Sequence, residues 1–193
     1  SKEKQMAIVF LKKNRILAVK NYGMAKPSPS TYIGYFKRYI DLVEEEDLMT
    51  AFKKQTAGLS PFLQSITEEK STYAYAENKW TIKELLQHAI DTERILSYRA
   101  LCLARGEQLN LPGFEEDEYA ANSFANNRNW SDLIAEFVTV RKSTEMLFES
   151  LNDSVLNNAG TANSNPVTVL SLGFTIVGHW YHHKKILQER YLQ

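Results

Sequence analysis

Apolar residues recur at three- and four-residue intervals in four long stretches of the chain, the spacing that gathers one face of an α-helix into a buried stripe. The first stretch passes from YIGYFKRYIDLV, a short helix, into EEDLMTAFKKQTAGLSPFLQSI, where Pro61 predicts a kink. A second opens at Thr81, whose spacing to Glu84 in WTIKEL fits a reciprocal capping box, and it runs to Arg105 ahead of Gly106. The third covers Ser131 to Leu151, with Leu133, Phe137, Val140, Thr144, Leu147 and Leu151 on one face. NDSVLNNAGTANSNP breaks it, and a fourth helix starts near Val167 and continues nearly to the C-terminal residue. No strand pattern of comparable length competes, although MAIVFL and RILAV around KKN form a candidate hairpin.

Four helices of roughly twenty residues, each about 30 Å long, describe an all-α four-helix bundle. The link between the second and third helices, GEQLNLPGFEEDEYAANSFANNRN, is polar, rich in turn residues and far longer than antiparallel neighbours need. It is long enough to travel the length of the bundle, which predicts an up-down-down-up topology with the second and third helices parallel. A lid over a site is compatible with the same link. Residues 1–30 read as an N-terminal extension and residues 31–193 as the bundle domain.

Histidine is what departs from this plain pattern. On the fourth helix Val169, Leu172, Ile176, His179, His183 and Ile186 recur at the spacing of an inward stripe, so two histidines stand where Leu or Ile is expected. Leu85, His88, Thr92 and Ile95 form a similar stripe on the second helix. His179 and His183, four apart, project about one turn from each other, and His88 comes from a facing helix. Three neutral imidazoles so placed suit a divalent cation with a coordination position left open for water or substrate. Inward histidines also serve as packing when a carbonyl or carboxylate satisfies them. His182 lies off the stripe and reads as surface or supporting. A metalloprotease helix is excluded, because the residue after His179 is Trp180 and not Glu.

Around the histidines, Asp91, Thr92, Glu93, Arg94 and Arg99 are candidates to orient an imidazole or to bind an anionic substrate. The acidic run Glu115–Glu118 reads as a solvated loop, Cys102 as a core residue, and Trp80, Trp130 and Trp180 as packing at helix ends. With 23 basic and 23 acidic residues the chain has no electrostatic call on nucleic acid. No stretch is long and apolar enough to span a membrane, the N-terminal segment lacks a convincing cleavage site, and one cysteine rules out a disulfide framework. The expectation is a soluble cytoplasmic protein.

KWTIKELLQHAIDTERILSYRALCLARGE, LPGFEEDEY and VGHWYHHKKILQERY together resemble the DinB/YfiT-like superfamily, which is unrelated to the DNA polymerase sharing the name. The resemblance runs from about Tyr35 to the C-terminus, and residues 1–26 have no counterpart in it. Its motifs are a single His in the second helix and G-H-x-x-x-H in the last, matched by His88, His179 and His183. The resemblance implies an up-down-down-up bundle, often a homodimer, holding nickel, zinc, iron or manganese through those three residues. Relatives include thiol S-transferases that use bacillithiol or mycothiol and a mycothiol-dependent maleylpyruvate isomerase. The implied function is a metal-dependent transferase or hydrolase that activates a small thiol or water against an electrophile. The alternative from a different class is a non-catalytic metal-binding or protein-interaction bundle.

Overall fold

The computed structural model describes residues 24–28, 32, 34–108 and 110–193. The candidate hairpin of MAIVFL and RILAV lies outside the described residues. A short α1 (Lys37–Ile40) leads into α2 (Leu48–Gln64), which Asp47 caps by accepting a hydrogen bond from Thr50 N at 2.8 Å. Pro61 falls in the last turn of α2, where it leaves Ala57 O without a helical donor, yet the helix continues through it to Gln64. After the single turn α3 (Glu68–Ser71) comes α4 (Ile82–Ala104), with both halves of the capping box made. Thr81 Oγ1 accepts from Glu84 N at 3.2 Å, and Glu84 Oε2 accepts from Thr81 N at 2.7 Å. Gly106 ends it in a left-handed conformation, its N–H bonded to Leu103 O while Glu107 N reaches Cys102 O, the paired bonds of a Schellman turn. The remaining helices are α5 (Glu116–Asn122), α6 (Trp130–Ser150) and α7 (Val169–Ile186), the last extended by a π turn over Leu187–Tyr191.

α2, α4, α6 and α7 make the four-helix bundle, and paired contacts fix their directions. Gln87 meets Arg128, Arg94 meets Glu136 and Ser97 meets Thr144, so residue numbers advance together along α4 and α6. They run oppositely along α2 and α6, where Trp130 donates to Leu63 O and Thr56 to Glu145. Leu48 lies against Gly173, Gln55 donates to Val177 O and Phe62 packs on Trp180, so α2 and α7 advance together. Asn158, whose carbonyl accepts from Val169 N at the start of α7, donates to Leu103 O at the end of α4, and the second turn of α4 meets the last turns of α7 at the histidines.

The segment expected only to interrupt α6 and α7 instead folds into strands. β2 (Ala159–Ala162) and β3 (Asn165–Thr168) form an antiparallel hairpin through Asn163-Ser164, both at positive φ as a type I′ turn requires. β1 (Asn110–Leu111) from the long link adds to β2 in parallel, so the crossover is anchored to the break before α7. That link also carries α5, so it is not the unstructured stretch its composition suggested.

Two apolar clusters fill the bundle, one around Phe52, Phe148, Leu172 and Phe174, the other around Leu63, Leu86, Trp130, Phe137 and Trp180. Trp180 is therefore a core residue in mid-bundle and not helix-end packing, whereas Trp130 does open α6 and donates to Leu63 O at 3.1 Å. Met24 is fully buried in the first cluster and its carbonyl accepts from Leu48 N, so this part of the N-terminal extension is packed onto the bundle. Among the described residues no helix is long and apolar enough to cross a membrane.

Candidate metal centre

α4 carries His88 in its second turn, and α7 carries His179 and His183 one turn apart near its end. All three side chains are buried, and one ring nitrogen of each lies within 4.8 Å of the others. His179 Nε2 is 3.1 Å from His88 Nε2 and 3.0 Å from His183 Nε2. A neutral ring nitrogen holds one hydrogen or one lone pair, so His179 Nε2 satisfies only one of these neighbours by hydrogen bonding. A cation facing three lone pairs satisfies them all. Metal–nitrogen bonds of 2.0–2.1 Å place neighbouring ligand nitrogens about 2.9–3.4 Å apart, which brackets both separations.

Burial also sets the charge state. It lowers the His88 pKa to about 4, against the opposing pull of the Glu116 and Asp117 carboxylates. It drives His179 and His183 well below the ordinary value, helped by the mutual repulsion of the imidazoles. The rings are thus neutral and available as ligands at physiological pH. With Nε2 turned to the cluster, the hydrogen of His183 sits on Nδ1, which is buried and finds no acceptor among the described residues. Aromatic neighbours hold the rings: Trp80 tilts over His88 at 4.8 Å between centroids, and Tyr39 stands edge-on to His179 at 5.2 Å. Gly178 lets α7 approach that closely, since a Cβ there would lie 2.0 Å from Tyr39 O.

Of the other candidates, His182 is half-buried and touches Tyr39 and His183 by its ring, outside the converging nitrogens. Asp91 accepts from Gln87 and pairs with Arg94. Glu93 engages Arg141 and not an imidazole, through bonds of 2.9, 3.1 and 2.7 Å. Arg99 donates to Pro112 O, and Arg94 is taken up by Glu136. Thr92 is buried one turn from His88, its hydroxyl without a partner among the described residues. Cys102 is half-buried against the core. Two residues assigned to a solvated loop come to the site instead. Glu116 and Asp117 open α5 within electrostatic reach of His88, and Tyr35 Oη ties Glu116 in place at 2.8 Å. The signal available was an acidic run followed by YAAN, the composition of a helix first turn.

A four-helix bundle with a buried three-histidine cluster between its second and fourth helices defines a class of α-helical proteins equipped to hold a metal ion. The chain belongs to the DinB superfamily, whose family model matches residues 51–187. Among solved structures it is similar to YfiT from Bacillus subtilis, described as a probable metal-dependent hydrolase with an unusual four-helix bundle topology. That likeness has a TM-score of 0.66 at 15% identity and covers 74% of this chain and 82% of YfiT. No curated protein sequence matches the chain.

Proposed function

We propose that the protein is a divalent-metal-dependent enzyme acting on small molecules, a hydrolase or a thiol S-transferase, with His88, His179 and His183 as the metal ligands. The observation that carries this reading is the convergence of three neutral ring nitrogens with no fourth His, Cys, Asp or Glu joining the group among the described residues. Structural zinc sites are generally closed by four protein ligands, whereas three leave a position for reactant. A divalent ion held there supplies Lewis acidity, lowering the pKa of a thiol or water presented to it.

The chain's own residues keep the imidazoles neutral. Trp80 and Tyr39 pack against His88 and His179, and burial keeps all three rings deprotonated. Glu116 and Asp117 add negative charge beside His88, favouring a cation at the cluster and offering oxygens to accept a proton at its rim. YfiT's description as a probable metal-dependent hydrolase supports the hydrolytic arm.

The test is elemental analysis of protein purified without chelator or nickel resin, then turnover screens with the metal restored. His88→Ala, His179→Ala and His183→Ala each lose most of the metal, and His182→Ala keeps it. Full retention after His179→Ala refutes the ligand set. Metal bound without turnover of any thiol or hydrolysable electrophile leaves the non-catalytic bundle as the better reading.

A further inference from the structure

A cavity of about 270 Å³ reaches His183 from the surface. Its walls are Tyr75, Trp80, Leu85, Ile186 and Tyr191, and its polar lining, apart from His183, is Asn78, Lys79 and Asp117. Those three are exposed, and apart from them and His183 the lining residues are apolar or aromatic. The wall continues the ligand stripes: Leu85 precedes His88 by three residues on α4, and Ile186 follows His183 by three on α7, so each shares a helix face with a ligand. Its aromatic half is fixed in place. Tyr191, in the π turn, donates from Oη to Trp80 O at 2.8 Å, and its ring meets Tyr75 edge-on at 4.9 Å. Trp80 in turn lies over His88, so one ring belongs to both the cavity and the metal centre.

We infer that this cavity is a specificity pocket for a small aryl group, held between Tyr75, Trp80 and Tyr191 with the reacting carbon at the His183 end. The volume is just under the roughly 300–1,000 Å³ of drug-sized sites, which suits a single substituted ring. Flat aromatic walls favour a planar aromatic guest through edge-to-face contacts. The inference rests on the proposed hydrolytic function for the reacting end and on the cavity alone for the aryl end.

Two arms separate these. In the binding arm p-nitrophenol is titrated into metal-free and metal-loaded protein, and quenching of Trp80 fluorescence is followed. Saturable quenching is expected in both forms and is weakened in Trp80→Phe, Trp80 being the tryptophan that lines the cavity. Ile186→Phe, which fills the pocket, and Tyr75→Ala, which removes a wall from the half-buried side, each weaken binding by about tenfold. Tyr75→Ala keeps the test available if the substitution on α7 disturbs the helix. No saturable binding to the wild type, or equal affinity in both folded variants, overturns the pocket.

In the turnover arm the metal-loaded protein is given p-nitrophenyl acetate. Water's oxygen bonds to the acetyl carbon, the bond from that carbon to the aryl oxygen breaks, p-nitrophenolate leaves with the electron pair, and both water protons pass to buffer. KM is expected to rise in the pocket variants in step with the loss of p-nitrophenol affinity. Binding that behaves as described without turnover counts against the hydrolase and leaves the pocket standing. Turnover with KM unmoved in both variants counts against the pocket and leaves the hydrolase.

Discussion

Replacing Glu93 by Gln separates a role at the metal centre from a role in the core. Glu93 lies five positions after His88 on the same helix, yet its carboxylate grips Arg141 on α6 with bonds to Nε and Nη2. The side chains are 3% and 0% exposed, and the remaining Arg141 amine is taken by Gln55, whose own amide donates to Val177 O at 2.9 Å. Phe52 and Phe137 lie against the guanidinium, so one buried network joins all four bundle helices. Glu93→Gln leaves a buried cation with no counter-charge, a loss of about 3–5 kcal/mol. For a chain of this size 1 kcal/mol moves Tm by about 2–4 °C, so a fall of roughly 6–20 °C is expected in a circular-dichroism melt. Metal content per folded molecule stays at the wild-type value. The pair Glu93→Leu with Arg141→Met recovers most of the stability, because apolar replacement of a buried ion pair is often neutral or stabilising. An unchanged Tm with depleted metal refutes the reasoning and returns Glu93 to the site.

Gly178→Ala drives a Cβ to 2.0 Å from Tyr39 O and 2.4 Å from its carbonyl carbon, so the α1 segment must shift at a cost of about 1–3 kcal/mol. Metal affinity by competition with a chelator falls as well, because Tyr39 loses its seat beside His179. Truncation to a start at Lys26 removes the buried Met24 and the acceptor of Leu48 N. The truncated protein is therefore less stable than one starting at Gly23 by about 2–5 kcal/mol and melts about 4–20 °C lower. Burial depresses the histidine pKa values, so the unfolded chain takes up protons below about 6.5 that the metal-free native state refuses until about 4 at His88. Stability of the metal-free form is therefore intact above 6.5 and falls as pH drops through that window, by about 3 kcal/mol from His88 alone; added metal shifts the acid transition to lower pH, and a metal-independent transition refutes the ligand assignment.

The parts of this molecule legible in the sequence are those a single helix writes along itself. Thr81 and Glu84 are three apart and form the capping box that their spacing predicted, and His88, His179 and His183 share a cluster because their stripes face one interior. Asp91, Thr92 and Glu93 were not separable on that basis. Consecutive helical residues turn by about 100°, and only the packing of α6 beside α4 decides that Glu93 meets Arg141 while Asp91 stays at the rim with Gln87 and Arg94. Trp180 escaped because α7 is buried on every side from Val169 to Trp180, so it has no polar face against which an end position shows. The β2–β3 hairpin escaped for a different reason. Its strands are four residues long and its turn is Asn-Ser, which supplies the positive φ values without the glycine that usually advertises them. Least legible is the aromatic wall beside His183. Tyr75, Trp80, Leu85, Ile186 and Tyr191 come from the loop before α4, from α4 itself, from α7 and from a π turn. Two of them are joined by a hydrogen bond between residues 111 positions apart, Tyr191 Oη to Trp80 O. A periodic pattern reports which way a residue faces within its own helix, whereas such a bond reports where two distant stretches were brought by everything folded between them.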